Sequence, residues 1–515
     1  MAKKRLPIGI QTFRKIREGN FYYVDKTPFI KQLVDRGTHY FLSRPRRFGK
    51  SLFLDTMKEL FEGNESLFQG LSIHPHWDWS IRRPVVRLSF GAGQFGRDGE
   101  IEAKLSEQLG TVERQFGVVT KYLTVSGRFA SLLRAIHRET GQSVVILVDE
   151  YDKPILDTLE QPQIALANRD FLRDIYSVIK DCDTHVQFVF LTGVSKFSNA
   201  NLFSGLNNLN DITLDRDYSA ICGYTESDLC QVFGQELVEF DHTEVREWYH
   251  GYRWSSGEAV YTPFDILFLI YRRQFGDWWC ETGNPRFLVD TLLRLNVSSL
   301  ELDNMVATRE VLSEFDVDEI AIEALLFQTG YLTIRSEFDL AGQPVYHLGY
   351  PNREVRSSLN RTLLHSMIRN TPQQLENSLK LVQLMRENDF PEMEALVRAF
   401  YSSIPYERLP KDDIANNEQF YATVFYSYLT ASGFNVIVEE RSTRGRADMT
   451  VRFNRNVYIF EFKVVEIAGK SAAMAQLKLK KYAEKYRHLG QHIRLIGVEF
   501  SRDHRDIVAF QVESG

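Results

Sequence analysis

Residues 38–63 read THYFLSRPRRFGKSLFLDTMKELFEG. The apolar run THYFLS predicts a strand, RPRRFGKS a basic loop with one glycine, and LFLDTMKELFEG an amphipathic helix. Strand, cationic loop and helix in that order suit an anion, because main-chain N–H groups and the helix dipole then point the same way. Upstream, Thr27-Pro28 signals a helix start, with Thr27 as cap and Pro28 in the first turn, and Gly37 stops it. Downstream, PVVRLSF (84–90), SVVILVDEYDKP (143–154) and VQFVFLTGVSKFS (186–198) are further strand candidates separated by helical stretches. The alternation predicts an α/β layer with a mainly parallel sheet over residues 1–220.

The octet Arg44–Ser51 aligns with the phosphate-binding pattern G-x-x-x-x-G-K-[ST], except that Arg44 stands at the first glycine. Lys50 is then expected to meet the β/γ-phosphates of ATP and Ser51 to hold magnesium, with Arg46, Arg47 and Gly49 lining the phosphates. Asp149, closing an apolar strand, is expected to hold the same ion through water, and Glu150 beside it to polarise the attacking water. Thr192, ending the next strand, is placed to sense the γ-phosphate. Taken singly, the octet also reads as a solvated basic turn and Asp149-Glu150 as ordinary strand-end charges. Together, on the right elements in the right order, they predict ATP binding. Hydrolysis is a separate expectation, because a missing glycine removes backbone freedom where the loop wraps the phosphates.

From Tyr218 to about residue 404 the pattern is mostly helical, so 221–404 is expected to form a middle region. Within it, residues 311–359 read as helices, then a hairpin closed around Ala341-Gly342, then a helix. That order suits a winged-helix-like unit, and a plain helical lid with an incidental hairpin equally. Pro405–Lys411 has linker character and sets off a last region, 405–515. There a helix (416–433) precedes strand candidates at 434–440, 446–453 and 457–465, a helix at 471–490, and strands at 493–501 and 507–513.

The last region holds the second candidate site, in RADMTVRF-NRN-VYIFEFKVV (446–465). Period two puts Glu461 and Lys463 on one face and Phe460 and Phe462 on the other. A hairpin turning on Asn454-Arg455 sets Phe453 opposite Asn456 and, counting back, Asp448 opposite Glu461, with Cβ atoms about 5 Å apart. Two carboxylates that close repel unless a cation lies between them, so Mg²⁺ or Mn²⁺ is the natural resident. Lys463 can orient a water attacking a phosphodiester and help deprotonate it. Glu418, on the preceding helix, is a candidate further metal ligand. Gln476 and Lys480, spaced i, i+4, are expected to reach the site or the nucleic-acid backbone. The bland alternative is an amphipathic hairpin with charges on its wet face.

At 515 residues the chain should hold two to four domains, and 43% hydrophobic with 25% charged residues is ordinary globular composition. No run of about 18 apolar residues occurs, and MAKKRLPIGIQTF lacks a signal peptide's apolar stretch, so a soluble, cytoplasmic protein with no membrane partner is expected. Cys182, Cys222, Cys230 and Cys280 form no C-x-x-C pair, which argues against a zinc knuckle or a disulfide framework. The net charge of −6 restricts nucleic-acid contacts to local basic patches, at Arg44–Lys50 and Lys463–Arg494.

Several strings together resemble a known family. IGIQTFRKIREGNFYYVDKT (8–27), FLSRPRRFGKS, LVDEYDKP and LTGVSKFS are similar to the prokaryotic AAA-ATPase-like proteins usually fused to a C-terminal PD-(D/E)xK nuclease. ERSTRGRADM, IFEFKV and AQLKLKKYAEKY resemble that nuclease. The resemblance spans nearly the whole chain. It implies a P-loop NTPase-like parallel-sheet domain, a helical middle and a restriction-endonuclease-like α/β domain. It assigns Lys50, Ser51, Asp149 and Glu150 to the nucleotide site and Asp448, Glu461 and Lys463 to the nuclease core. Related recombination nucleases carry a Tyr four residues after the Gln, where this chain has Lys480, with Tyr482 two later. The expected function is an ATP-regulated, metal-dependent nuclease acting on DNA or RNA, with homo-oligomerisation and a role in defence against mobile elements left open. Two rivals stand beside it: a nucleotide-dependent switch or scaffold whose C-terminal domain only grips nucleic acid, and a nuclease whose nucleotide never turns over.

Overall fold

The computed structural model describes residues 4–515 apart from 121, 198–201, 203–205, 207, 283–285, 296, 314–320, 369–370, 405–413, 443–444, 466–470, 490 and 502–505. The chain divides into two compact units, Met1–Trp279 with Met305–Asn352, and Cys280–Asn304 with Arg353–Gly515. Residues 221–404, which the sequence sets apart as a middle region, are thus divided between the two. The expected linker at 405–411 lies outside the described residues.

The first unit is built on five strands: β1 His39–Ser43, β2 Val85–Ser89, β3 Val144–Asp149, β4 Val186–Gly193 and β5 Asn210–Asp211, in the order β2-β3-β4-β1-β5. All four neighbouring pairs are parallel. β1 and β3 are buried at every position, which is why both read as unbroken apolar runs rather than alternating ones. β4, ending in Thr192-Gly193, lies between the strand that leads into the basic loop and the strand that ends in Asp149. Helix Thr27–Arg36 is capped differently from expectation. Thr27 is already helical, and Asp25 accepts from its N–H and its hydroxyl, at 2.9 and 2.7 Å.

Later in this unit β6 His250–Tyr252 and β7 Val260–Tyr261 pair antiparallel. A three-stranded sheet follows, of β8 Met305–Thr308, β9 Thr333–Leu340 and β10 Gln343–Gly349, ordered β8-β10-β9. Helices Arg309–Ser313 and Ile322–Thr329 lie between β8 and β9. The β9–β10 hairpin closes on Ala341-Gly342, with φ of 55° and 87°, the two positive values that a two-residue turn of this twist requires. Helices and then a hairpin thus follow in the order read from the sequence.

The second unit holds a five-stranded sheet: β11 Val436–Ser442, β12 Gly445–Phe453, β13 Asn456–Val465, β14 His492–Ser501 and β15 Ile507–Ser514, in sequence order. Only β13 and β14 run parallel, and their crossover carries helix Ala472–Lys480, as a parallel pair requires. Alternation sorts the side chains of β13. Tyr458, Phe460 and Phe462 join a core with Phe425 and Leu429 of helix Ile414–Ala431. Val457 and Ile459 pack on the other face with Met474, Leu477 and Tyr482. The expected fold class, a parallel-sheet domain, a helical middle and a C-terminal mixed α/β sheet, is the one observed.

Candidate functional sites

The basic loop joins β1 to helix Lys50–Phe61, whose first turn carries Lys50 and Ser51. Arg47 and Gly49 adopt positive φ, 69° and 96°, and Arg46, Arg47 and Gly49 are exposed at the tip. Lys50 folds back into the loop, donating to the carbonyls of Arg44 at 2.7 Å and Pro45 at 2.8 Å, and its burial lowers the ammonium pKa.

Arg44 does something else than a glycine would. It is fully buried, donates to the carbonyls of Ser43, Thr213 and Tyr218 at 2.8–3.0 Å, and lies 4.1 Å over the Trp254 ring. Burial pulls its pKa down to about 10, still cationic at neutral pH. Its side chain is thus a brace behind the loop, facing away from the tip where phosphates would sit. Phe48 adds to the brace, packing edge-on to Tyr252 and Trp254, and Trp279 donates its indole N–H to the carbonyl of Arg46 at 2.9 Å.

Asp149 is buried at the end of β3, accepting from the Thr192 hydroxyl at 3.1 Å and lying 3.6 Å from the Arg87 guanidinium. Glu150 follows with φ of 51°, a left-handed position that swings its side chain out of the strand's alternation. So Asp149 and Thr192 stand at the ends of β3 and β4, and β4 also neighbours β1, the strand that leads into the loop before Lys50.

In the second unit the turn at Asn454-Arg455, with φ of 48° and 61°, sets Phe453 against Asn456 and continues to Met449 against Phe460. That is the register read from the sequence. The paired ladder stops there, and Asp448 turns its Oδ2 to accept from the Phe462 N–H at 2.8 Å. Glu461 is fully buried: Oε1 accepts from Gln476 Nε2 and lies 3.6 Å from Lys463 Nζ, while Oε2 has no hydrogen-bond partner. Burial, then the charge of Asp448, pushes the Glu461 carboxyl up to about 8.

Glu418, expected as a further metal ligand, lies against Lys463. It binds Lys463 Nζ at 2.6 Å and accepts from the Val464 N–H at 3.3 Å. Burial works to lower the Lys463 pKa, but the Glu418 hydrogen bond and charge outweigh it and the net shift is upward. Among the described residues no three or more His, Cys, Asp or Glu side chains cluster as a ready metal cage. What the site does offer is the Asp448–Glu461 pair with one enclosed, unpartnered carboxylate oxygen, which fits a divalent cation that completes its shell with water.

Residues 7–203 match the family model "Predicted AAA-ATPase" and residues 416–510 match "PD-(D/E)XK nuclease superfamily". A protein of Azotobacter chroococcum mcd 1, named "Uncharacterized protein in vnfD 5'region", is 53% identical over 515 residues, covering all of both chains. The chain belongs to this AAA-ATPase-like family with a C-terminal PD-(D/E)XK domain.

Sequence reasoning passed over two residues of the first of these domains and left the place of a third, Tyr482 in the second, undecided. In the AAA-ATPase-like domain Asp152 is buried and accepts from the N–H groups of Val194 and Ser195, at 2.9 and 2.6 Å, which ties the Asp149 strand end to the loop after Thr192. Burial raises its pKa to about 6. The signal was a second Asp in LVDEYDKP. Arg87 bridges Asp149 and Asp55 of the Lys50 helix; a lone charge inside PVVRLSF was the clue. In the PD-(D/E)XK domain helix Ala472–Lys480 ends at Lys481, with φ of 52°, and a tighter turn, Tyr482–Leu489, follows. The break returns Tyr482 to the site, where burial and then the Glu461 charge raise its phenol pKa. The Lys480 side chain makes no hydrogen bond or ion pair among the described residues.

Proposed function

We propose that this chain is an ATP-binding, ATP-regulated, metal-dependent nuclease that hydrolyses phosphodiester bonds of DNA or RNA. The observation that carries the reading is Glu461: a fully buried carboxylate with one unpartnered oxygen, beside Asp448. A buried carboxyl left with an unpartnered oxygen beside a second carboxylate is costly, and a protein that only gripped nucleic acid would gain nothing from it. A divalent ion held by Asp448 and Glu461 would supply charge neutralisation at the phosphate and a water of lowered pKa. Lys463, kept protonated by Glu418, contributes a fixed positive charge toward the phosphate rather than a proton acceptor. Gln476 holds Glu461 Oε1 and so limits the directions in which the carboxylate can turn.

In the first unit Lys50, released from the Arg44 and Pro45 carbonyls, would meet the β/γ-phosphates, and Ser51 and Asp149 would hold magnesium. Glu150 would orient the attacking water, with Thr192 fixing Asp149 from the neighbouring strand. Support for regulation comes from Trp279. It holds the carbonyl of Arg46 in the phosphate loop, and the chain passes into the second unit at the next residue. Among the described residues no helix is long and apolar enough to cross a membrane. We place the chain's action in the cytoplasm, where the proposed ATP ligand is supplied.

The test is cleavage of labelled DNA and RNA by the full chain, with and without Mg²⁺ or Mn²⁺ and with and without ATP. Wild type should cut only with metal, Asp448→Asn should lose metal and cleavage together, and Lys463→Ala should keep metal while losing cleavage. Equal metal binding and equal cutting by all three would place the active site elsewhere. Metal binding without cleavage under any nucleotide condition would favour the nucleotide-dependent binding module.

A further inference from the structure

Helix Ala472–Lys480 brings Gln476 to Glu461, so where that helix begins decides how the two meet. On β14, Gly497 pairs with Glu461 and Glu499 with Lys463, and both lie on the face that carries Ile493 and Leu495 against Met474 and Leu477. A Cβ on Gly497 would come within 2.9 Å of the Met474 nitrogen and 3.2 Å of the Ala473 Cβ. The first turn of the helix therefore rests directly on the glycine backbone.

Glu499 is 2% exposed, and its Oε1 accepts the Ala473 N–H at 3.0 Å, while Oε2 is enclosed without a partner. That N–H is one of the donors a helix leaves unsatisfied at its start. A local cap would ordinarily take it. Here the residue in the cap position, Ser471, has φ of 50° and makes no cap hydrogen bond, and its hydroxyl instead accepts from Gln511 Nε2 at 2.8 Å. The cap comes from a neighbouring strand, and a buried negative charge at a helix N-terminus is stabilised by the dipole.

We propose that Glu499 is a positioning residue of the nuclease site. By capping the helix from β14, one strand away from Glu461, it sets the height and rotation at which Gln476 reaches the Glu461 carboxylate. Its consequence for cleavage rests on the nuclease reading above. Its consequence for the helix does not.

The experiment uses the full chain in four variants, Glu499→Ala, Glu499→Gln, Gln476→Ala and the double Glu499→Ala/Gln476→Ala, beside wild type. Cleavage of labelled DNA and RNA with Mn²⁺ is measured alongside deuterium uptake by peptides covering residues 472–480. Glu499→Ala should lower kcat about tenfold with KM unchanged, and speed exchange at 473–477. Glu499→Gln should restore both, because its amide oxygen can accept the same N–H. The double variant should be no slower than Gln476→Ala alone. A double variant slowed by the product of the single effects, or an Ala variant with wild-type exchange and kcat, would overturn the proposal. If wild type cuts nothing, the nuclease reading fails, and the exchange comparison of Ala with Gln still decides whether Glu499 positions the helix.

Discussion

Replacing Glu461 by Gln should make the second unit less sensitive to alkali, and the size of the effect follows from the burial of that one carboxyl. Unfolded, a glutamate titrates near ~4.3; folded, this one titrates at about 8. Between those values the folded state holds a proton that the unfolded state has released. The proton's stabilisation is therefore complete below the unfolded value and is lost as pH rises through the folded one. The slope approaches ~1.4 kcal/mol per pH unit, and with rounding near the folded value the loss from pH 6 to pH 8 comes to ~2 kcal/mol. For a unit of this size that is a fall in Tm of roughly 4–8 °C. All six tryptophans, Trp77, Trp79, Trp248, Trp254, Trp278 and Trp279, belong to the first unit. A circular-dichroism transition with no matching change in tryptophan fluorescence therefore reports the second unit. In EDTA its midpoint should fall with pH in wild type and hold in Glu461→Gln, and at pH 8 Mn²⁺ should raise it in wild type only. Parallel pH profiles for the two proteins would refute the argument, because they would mean that Glu461 titrates normally.

Lys50→Ala should abolish ATP binding by calorimetry, and Glu150→Gln should keep ATP bound while blocking turnover. Unchanged affinity in the first would reduce the octet to a basic turn, and equal background hydrolysis by wild type and Glu150→Gln would make the nucleotide structural. Arg44→Gly, which restores the common phosphate-loop pattern, should fail to improve nucleotide turnover. It should instead destabilise the first unit by ~3 kcal/mol or more, since three buried carbonyls lose a charged donor; a fluorescence-monitored urea midpoint equal to wild type would contradict this. Trp279→Phe keeps the ring and removes the N–H held by Arg46. ATP binding should weaken by no more than about tenfold, while the effect of ATP on cleavage should disappear; an intact ATP effect would remove Trp279 from the regulation.

Most of the fold was legible because strand burial writes itself into composition. VVILV and FVFL are apolar throughout because both faces of a parallel sheet are covered, and VYIFEFKVV shows its charges two apart because only one face there meets the site. The hairpin register at Asn454-Arg455 and the turn at Ala341-Gly342 were legible too, since short turns leave little choice of pairing. What sequence could not supply was the direction of side chains within an element. Glu418 was in reach of Asp448, Glu461 and Lys463 alike, and it meets Lys463. Arg44 was a departure from a motif and proved to be a buried brace, because its partners lie at Thr213, Tyr218 and Trp254. Tyr482 was out of step with a continuous helix and came into step once the helix broke at Lys481. Glu499 looked like one more charge in a strand, since nothing local marks a cap that arrives from another element.

The two sites share a feature that bears on how each would be switched. In both, the lysine expected to act on phosphate is already engaged by its own chain: Lys50 by two loop carbonyls, Lys463 by the Glu418 carboxylate. A hydrogen bond to a charged group contributes ~1.5–3 kcal/mol, so a ligand that recruits either lysine must offer more than the chain already does. A polyanionic phosphate can do so at Lys50, where the competing carbonyls are neutral. At Lys463 the competitor is itself an anion. A phosphodiester with a single negative charge gains less over Glu418 than a triphosphate gains over carbonyls. On the proposed reading the Lys463 site is therefore the harder of the two to engage by substrate alone, and a shift of Glu418 would release its lysine. Glu418 lies on helix Ile414–Ala431, whose Ser427 is hydrogen-bonded to Asn360 of helix Arg353–Ile368. Glu354, in the first turn of that second helix, accepts the N–H of Cys280, the residue after Trp279. Glu418→Gln should thus weaken the hold on Lys463 without touching Asp448 or Glu461, and cleavage by this variant should depend less on ATP than cleavage by wild type. A variant that cuts as wild type does, with the same response to ATP, would show that the Glu418 contact carries no control.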